Sequence, residues 1–283
     1  MSIFNYIYWH PSVELFSILG YSVRWYGVLW VIGLVGAYLI VKQLYVVNKI
    51  DEEKFDPLFF YAFIGVLLGA RIGHCLFYEP DYYLCSLKHL VEMFVPIRFT
   101  PDGAIRYIGY AGLASHGGVI GLLVSFWLYS RRNGVSFLFV LDCAGFAAPF
   151  TSMSIRLGNL MNSEIIGRQT DVPWAFVFEN IDMFPRHPAQ LYEALFYMLI
   201  FLLGIIIYRN TRLRYSFGTG FYFGYCISTI FVFRFFVEFV KEVQVDFEND
   251  MLFDMGQLLS IPLVIVGAYY VCKTVYKNLH GNL

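Results

Sequence analysis

Apolar residues dominate seven stretches of the chain, at about 22–45, 57–78, 112–130, 137–156, 188–208, 217–238 and 255–275. A helix needs roughly 20 mostly apolar residues to cross the hydrocarbon core of a bilayer. Over such lengths only a helix satisfies its own backbone in lipid. The pattern predicts an all-α membrane protein with about seven transmembrane helices. Polar residues gather into short connections, except in two longer segments. Residues 79–111 mix Tyr82, Tyr83, Leu84 and Leu90 with charges, which predicts an interfacial arm. Residues 159–186 contain VPWAFVF (172–178), a strand-like run bounded by Pro173 and Asn180, which predicts a small head. Ahead of the first span, Tyr6, Tyr8, Trp9 and Pro11 predict an interfacial lead-in. That stretch lacks the basic region and small-residue cleavage site of a signal peptide. No repeat or linker interrupts the chain, so one integral membrane domain over residues 1–283 is expected.

Composition strengthens this reading. The chain is 58% hydrophobic and only 14% charged, against about 25% charged in soluble domains. A net charge of −1 offers no basic surface for nucleic acid. The five cysteines have no metal-ligand spacing, and no HExxH or acidic triad is present, so neither a metal nor a cofactor is expected. Of the basic residues flanking the spans, ten fall on one side (Lys42, Lys49, Lys54, Arg131, Arg132, Arg209, Arg212, Arg214, Lys273, Lys277) and six on the other (Lys88, Arg98, Arg106, Arg168, Arg186, Lys241). The positive-inside rule puts the first set in the cytoplasm, with the N-terminus outside, the C-terminus inside, and both the arm and the head periplasmic.

The candidate chemistry lies in residues that lipid would reject. Arg24, Arg71, Arg156 and Arg234 fall within or at the outer ends of the spans. A charge at membrane depth costs a few kcal/mol or more and normally faces a cavity. Snorkelling to the interface is the alternative. Arg234 and Glu238 are four apart and share a helix face. Arg156, Asn159, Asn162, Glu164 and Arg168 crowd the join between a span and the head. Arg71, His74 and Tyr78 share another face. In Ser115–His116–Gly117–Gly118 the glycines leave backbone amides open to an anion, and His116 is a candidate base; close helix packing is the other use of such glycines. Pro188 suits a helix start after His187, which turns Gln190 and Glu193 toward the bundle or a cavity. Asp142, deep in the fourth span, is either an internal partner or a helix-pair contact. Arginine forks, a histidine and amides suit a phosphate-bearing substrate.

The stretches RWYG (24–27), GARIG (69–73), SHGGVIG (115–121), RLGNLMNSEIIGR (156–168), HPAQLYE (187–193), RFFVE (234–238) and MGQLLSIP (255–262) occur in this order. Together they resemble the bacterial prolipoprotein diacylglyceryl transferases over nearly the whole chain. The resemblance implies an inner-membrane enzyme that transfers diacylglyceryl from phosphatidylglycerol to the lipobox cysteine behind a prolipoprotein signal peptide, releasing glycerol 1-phosphate. Carried over by position, it implies that Arg156 binds the lipid phosphate and that Arg234 is a second essential arginine. It also implies that Tyr26, His116, Gly117, Gly118, Asn159, Glu164, Gly167, His187 and Glu238 complete the site. Ile230 departs from the family, which often has tyrosine there; Tyr222 and Tyr225 are candidate substitutes. The segment between Arg168 and His187 is short. An anion transporter or channel is the rival reading, but such proteins often carry internal repeats and none is visible.

Overall fold

A computed structural model of the chain describes residues 6–18, 20–95, 97–100, 104–107, 112–210, 212–242 and 253–281. The long apolar stretches fold as α1 (Trp25–Val47), α2 (Glu52–Phe77), α5 (Ser115–Asn133), α6 (Phe137–Met161), α7 (Ala189–Asn210), α8 (Phe221–Val237) and α9 (Met255–Leu279). Six of these are long and apolar enough to cross a membrane. The exception is α5, because Ser115, His116, Arg131, Arg132 and Asn133 dilute its ends. Two compact units are distinguished, Met1–Leu44 with Leu141–Leu283 and Tyr45–Val140, and each is described by itself.

In the Tyr45–Val140 unit, α2 crosses α5 at backbone contact. Gly65, Gly69 and Gly73 recur every fourth residue and meet Gly117 and Gly121; a Cβ on Gly73 would stand 2.7 Å from Gly117 Cα. Small residues at this spacing let helices approach without side chains between them. Gly117 and Gly118 of the candidate site are buried at this crossing, whereas His116 is exposed on the first turn of α5.

The arm takes shape beyond α2. It comprises α3 (Pro80–Tyr83), α4 (Leu87–Phe94) and a hairpin of β4 (Ile97–Phe99) with β5 (Ile105–Tyr107). One face of α4 packs inward, where Met93 joins Tyr83 and Cys75. Leu87, Val91 and Phe94 remain exposed on the other. Glu92 is buried and accepts from Tyr82 Oη at 2.8 Å and from the Phe99 amide at 2.6 Å.

Arg71 turns out to anchor this arm. It is 2% exposed and donates through Nη2 to Tyr83 Oη and to the Glu92 carbonyl, both at 3.0 Å. His74 is occupied as well: its ring stacks on Tyr78, lies 3.4 Å from Glu79 and rests against Gly112. Replacing Arg71 by alanine leaves two buried acceptors without their donor, at about 1–3 kcal/mol each. The expected result is a loosened arm, seen as faster amide exchange over residues 80–99 with exchange in α6–α9 unchanged. Equal protection in both proteins would refute the anchor.

The other unit contains most of α1 and α6, all of α7–α9, and the head. Gly224 of α8 faces Gly267 of α9, and a Cβ on either would stand within 2.7 Å of the other's carbonyl oxygen. Phe196 of α7 stacks on Phe233 of α8 with ring centroids 3.9 Å apart. Gln257 closes a capping box with Asp254 and donates from Nε2 to the Phe235 carbonyl at 3.1 Å. This gives the MGQLLSIP stretch a structural task, fixing the start of α9 against the end of α8.

Asp142 is the internal partner. It is fully buried and accepts from the amides of Gly218, Gly220 and Phe223 at 2.8–3.0 Å. Gly218 and Gly220 have φ of +91° and +87°, a conformation that favours glycine. The carboxylate therefore satisfies the otherwise orphaned amides at the N-terminus of α8. Asp142→Ala is expected to cost on the order of 3 kcal/mol, read as a lower unfolding midpoint in detergent. Asp142→Asn, which keeps an acceptor, should lose less, and an unchanged midpoint for alanine would disprove the cap.

The head is a three-stranded sheet in the order β1 (Ile7–Trp9), β6 (Phe176–Phe178), β7 (Pro185–Arg186), with β1 parallel and β7 antiparallel to the middle strand. Only the end of the predicted 172–178 strand is extended. Pro173 has no amide for a ladder, and Ala175 N donates to the Val172 carbonyl in a turn. The lead-in does more than sit at an interface. Its Trp9 donates from Nε1 to the Leu160 carbonyl at 3.0 Å and packs on the cluster of Leu160, Ile166, Phe176 and Phe178. A second hairpin pairs β2 (Glu14–Ile18) with β3 (Tyr21–Arg24). Arg24 lies in that hairpin opposite Glu14, exposed, instead of in the first span. The short polar-apolar alternation before Trp25 ends in the hairpin, so α1 begins later than the apolar run suggested.

Candidate active site

Where α6 ends, the chain turns back on itself with two non-glycine residues in the left-handed region, Ser163 (φ 55°) and Ile165 (φ 56°). Such backbone costs about 1–3 kcal/mol per residue and persists only where its surroundings impose it. Here it holds Glu164 against the last turn of α6. Glu164 accepts from Asn159 Nδ2 at 3.1 Å and Asn162 Nδ2 at 2.9 Å, and its amide donates to the Asn159 carbonyl. Asn159 Oδ1 in turn faces Arg156 Nη1 at 3.4 Å. Residues spread over 156–164 thereby form one connected set, with Asn159 oriented by the carboxylate and turned toward the guanidinium.

Arg156 is countered from α7. Its Nε lies 3.0 Å from Glu193 Oε2, and the Glu193 side chain is fully buried. The contact is an ion pair by distance without a hydrogen bond aligned on that oxygen. Glu193 Oε1 accepts from Tyr197 Oη at 3.2 Å, one turn along α7. The Tyr197 ring is buried beside that carboxylate. Tyr197 therefore meets the carboxylate that Arg156 faces. Neither Tyr222 nor Tyr225 fills that place. Their hydroxyls donate to the Leu213 and Ile200 carbonyls, and Tyr222 is twelve residues, roughly 18 Å, up the helix from Arg234. Tyr197 was not legible as a site residue, because one more tyrosine in an aromatic-rich apolar run carries no signal of its own.

At the end of α8, Arg234 Nε pairs with Glu238 Oε1 at 3.3 Å, and the same oxygen holds Lys241 Nζ at 2.9 Å. Lys241 is 4% exposed, so what looked like a flanking loop lysine is a buried cation beside the partly exposed Arg234. Its backbone bridges to Gly167. Gly167 lies where three segments meet: a Cβ there would stand 2.6 Å from His187 Cβ, from the His187 carbonyl oxygen and from the Val240 carbonyl oxygen. Arg168 adds bonds to the Val240 and Lys241 carbonyls. Nearby, Arg186 bridges Asp182 and Glu242 and holds the Asp182 carboxyl below the usual carboxylate range. His187 Nδ1 is 3.1 Å from Tyr192 Oη, which accepts from Trp174 Nε1. Burial pulls His187 below the ordinary histidine value. Tyr26, on the first turn of α1, packs against Gly158, where a Cβ would stand 2.9 Å from its ring.

Within one unit the structure joins Arg156, Asn159 and Glu164 with Glu193 and Tyr197 in one set of contacts, joins Gly167, His187, Arg234 and Glu238 with Lys241 in another, and packs Tyr26 on Gly158. His116, Gly117 and Gly118 belong to the other unit. Three cations (Arg156, Arg234, Lys241) stand among three carboxylates (Glu164, Glu193, Glu238). Both arginines meet their carboxylates through Nε, which holds each rotamer and turns the Nη ends elsewhere. A guanidinium fork is suited to the oxygens of a phosphate.

Comparisons with known proteins show which family the chain is similar to. The family model described as prolipoprotein diacylglyceryl transferase matches residues 13–273. A Bacteroides fragilis protein named phosphatidylglycerol–prolipoprotein diacylglyceryl transferase is 55% identical over 94% of both chains. Relatives of the same name are found in Chloroherpeton thalassium (40% identical; 96% of this chain and 95% of the relative) and Porphyromonas gingivalis (39%; all of both chains).

Proposed function

This chain belongs to the prolipoprotein diacylglyceryl transferase family, and from that premise we propose how its own residues carry out the reaction. It is a multi-pass membrane transferase that moves the diacylglyceryl group of phosphatidylglycerol to prolipoproteins, the first step of lipoprotein maturation. The acceptor atom is the thiol of the lipobox cysteine, at the end of a signal peptide that is itself held in the membrane. The acceptor sulfur attacks the glycerol carbon bearing the phosphate ester. The C–S bond forms as the C–O bond breaks, the electron pair passes to the phosphate oxygen, and glycerol 1-phosphate leaves. The thiol proton goes to a base.

The observation that carries this reading is the pair of arginines, each tied to a carboxylate through Nε, Arg156 to Glu193 and Arg234 to Glu238. Charge gathers on the departing phosphate in the transition state, and donors fixed in advance around that position stabilise it. Asn159, Glu164, Gly167, His187, Glu238 and Tyr26 hold the two arginines and shape their surroundings. Gly117 and Gly118 are proposed headgroup contacts in addition to their packing of α5. His116 is the proposed base for the thiol, whose ordinary pKa near 8.5 leaves little thiolate at neutral pH. His116→Gln is expected to slow transfer and shift its pH profile; a full rate with an unchanged profile would remove His116 as base. The distribution of lysine and arginine supports a bacterial inner-membrane setting, with the N-terminus outside, the C-terminus cytoplasmic and the site opening to the periplasm.

The reaction is tested by incubating the purified protein with phosphatidylglycerol and a lipobox peptide. A diacylglyceryl mass gain on cysteine, with glycerol phosphate released in equal amount, is expected. Hydrolysis of the lipid without a modified peptide would overturn the reading.

A further inference from the structure

The first turns of α7 contain a polar group that nothing so far explains. Gln190 is fully buried, and neither its Nε2 nor its Oε1 has a partner among the described residues. A buried amide left unpaired is destabilising, and native structures hold few of them. Gln190 lies three residues before Glu193 and seven before Tyr197, so all three project from one face of α7. Glu193 Oε2, the oxygen beside Arg156 Nε, likewise lacks a hydrogen bond. One face of α7, beside Arg156, thus holds three buried unsatisfied atoms: an N–H donor and an acceptor on Gln190, and an acceptor on Glu193.

We propose that Gln190 recognises the terminal glycerol of the phosphatidylglycerol headgroup and sets the enzyme's choice of lipid. This rests on the transferase reading. A hydroxyl both donates and accepts, so a glycerol hydroxyl can donate to Gln190 Oε1, or to Glu193 Oε2, while accepting from Gln190 Nε2. Gln190 is one turn, about 5–6 Å, from Glu193 on the side of the head, which is where the polar end of a lipid lies when its phosphate is held by Arg156. An ethanolamine headgroup has donors and no acceptor, so it leaves Nε2 unpaired; a bare phosphate monoester supplies no hydroxyl at that distance. Sites built to bond a hydroxyl reject analogues that lack it because their own buried groups are stranded.

Gln190→Leu and Gln190→Met remove the amide, and methionine keeps its length without branching. Both variants are assayed with phosphatidylglycerol and phosphatidylethanolamine vesicles and a lipobox peptide, and their unfolding midpoints are measured without substrate. The expected result is a KM for phosphatidylglycerol raised about tenfold or more, with a smaller change in kcat. Preference over phosphatidylethanolamine should narrow by the same factor, and the unfolding midpoint should be equal or higher, since a stranded amide has gone. A purely structural glutamine, or one bonded only to buried water, would lower the midpoint and leave KM and lipid preference as in the parent protein; that outcome overturns the proposal. If one variant fails to fold, the other decides. The parent protein in the same assay separates the two claims: no transfer by the parent refutes the transferase reading, whereas transfer by the parent with unaltered selectivity in the variants refutes the role of Gln190 alone.

Discussion

Arg156→Gln is expected to reduce diacylglyceryl transfer by at least about a hundredfold, the typical loss when one fixed donor to a developing oxyanion is removed, while the protein still inserts and folds. Two effects act together. The variant loses the fork that meets the phosphate, and the buried Glu193 carboxylate loses the cation 3.0 Å away. Breaking a buried pair from one side costs roughly 3–5 kcal/mol, because the remaining charge is stranded. Glutamine is therefore expected to lower the unfolding midpoint as well. Arg156→Gln combined with Glu193→Gln distinguishes these effects. The double variant should regain much of the stability, since two neutral amides need no counter-charge, yet it should not regain transfer. Arg156→Lys should remain far below the parent rate, since an ammonium is a point charge and cannot form the planar two-pronged contact. Transfer assayed with labelled phosphatidylglycerol and a lipobox peptide, beside thermal unfolding in detergent, reads both quantities. Near-normal turnover of Arg156→Gln would mean that the phosphate is held elsewhere.

Gly167→Ala should be nearly as damaging, for a purely steric reason. The added methyl would stand 2.6 Å from three atoms at once, and two of these are the carbonyl oxygens of His187 and Val240. A flexible side chain could swing away, but two backbone segments cannot both do so. Overpacking in a tight site typically costs about 1–3 kcal/mol. Here the yielding element would be the segment that joins Glu238 and Lys241 to the head, or the one entering α7 at His187. Either displacement shifts Arg234 or Glu193 relative to Arg156, and a misplacement of about 1 Å in a positioned site can lower the rate on the order of a hundredfold. The expected signature is a large fall in kcat with membrane insertion intact, together with faster amide exchange over 166–169 and 238–242. An alanine variant with parental kcat would show that the three segments can open freely, and the convergence would then have no bearing on the chemistry.

Sequence alone determined the solvent of this protein and most of its helices, because an apolar run of about 20 residues has few alternatives in lipid. It also singled out Arg156 and Arg234, since charge within such a run is costly enough to need a reason. The local spacing of Arg234 with Glu238, and of Arg156 with Asn159, followed from helix geometry. Contacts between distant segments were decided only by the tertiary structure. Glu193 reaches Arg156, and Tyr197 reaches Glu193, because α7 packs beside α6, and Lys241 reaches Glu238 because the chain turns into a 3₁₀ segment after α8. The lead-in strand pairs with β6 across some 170 residues, a partner choice that short strands do not encode locally. Arg71 and Arg24 looked alike in the sequence, yet one anchors the arm and the other is exposed in a hairpin. A charge in an apolar run announces that it must be satisfied; which group satisfies it depends on what the fold brings within about 3 Å, and that is a property of the packed chain.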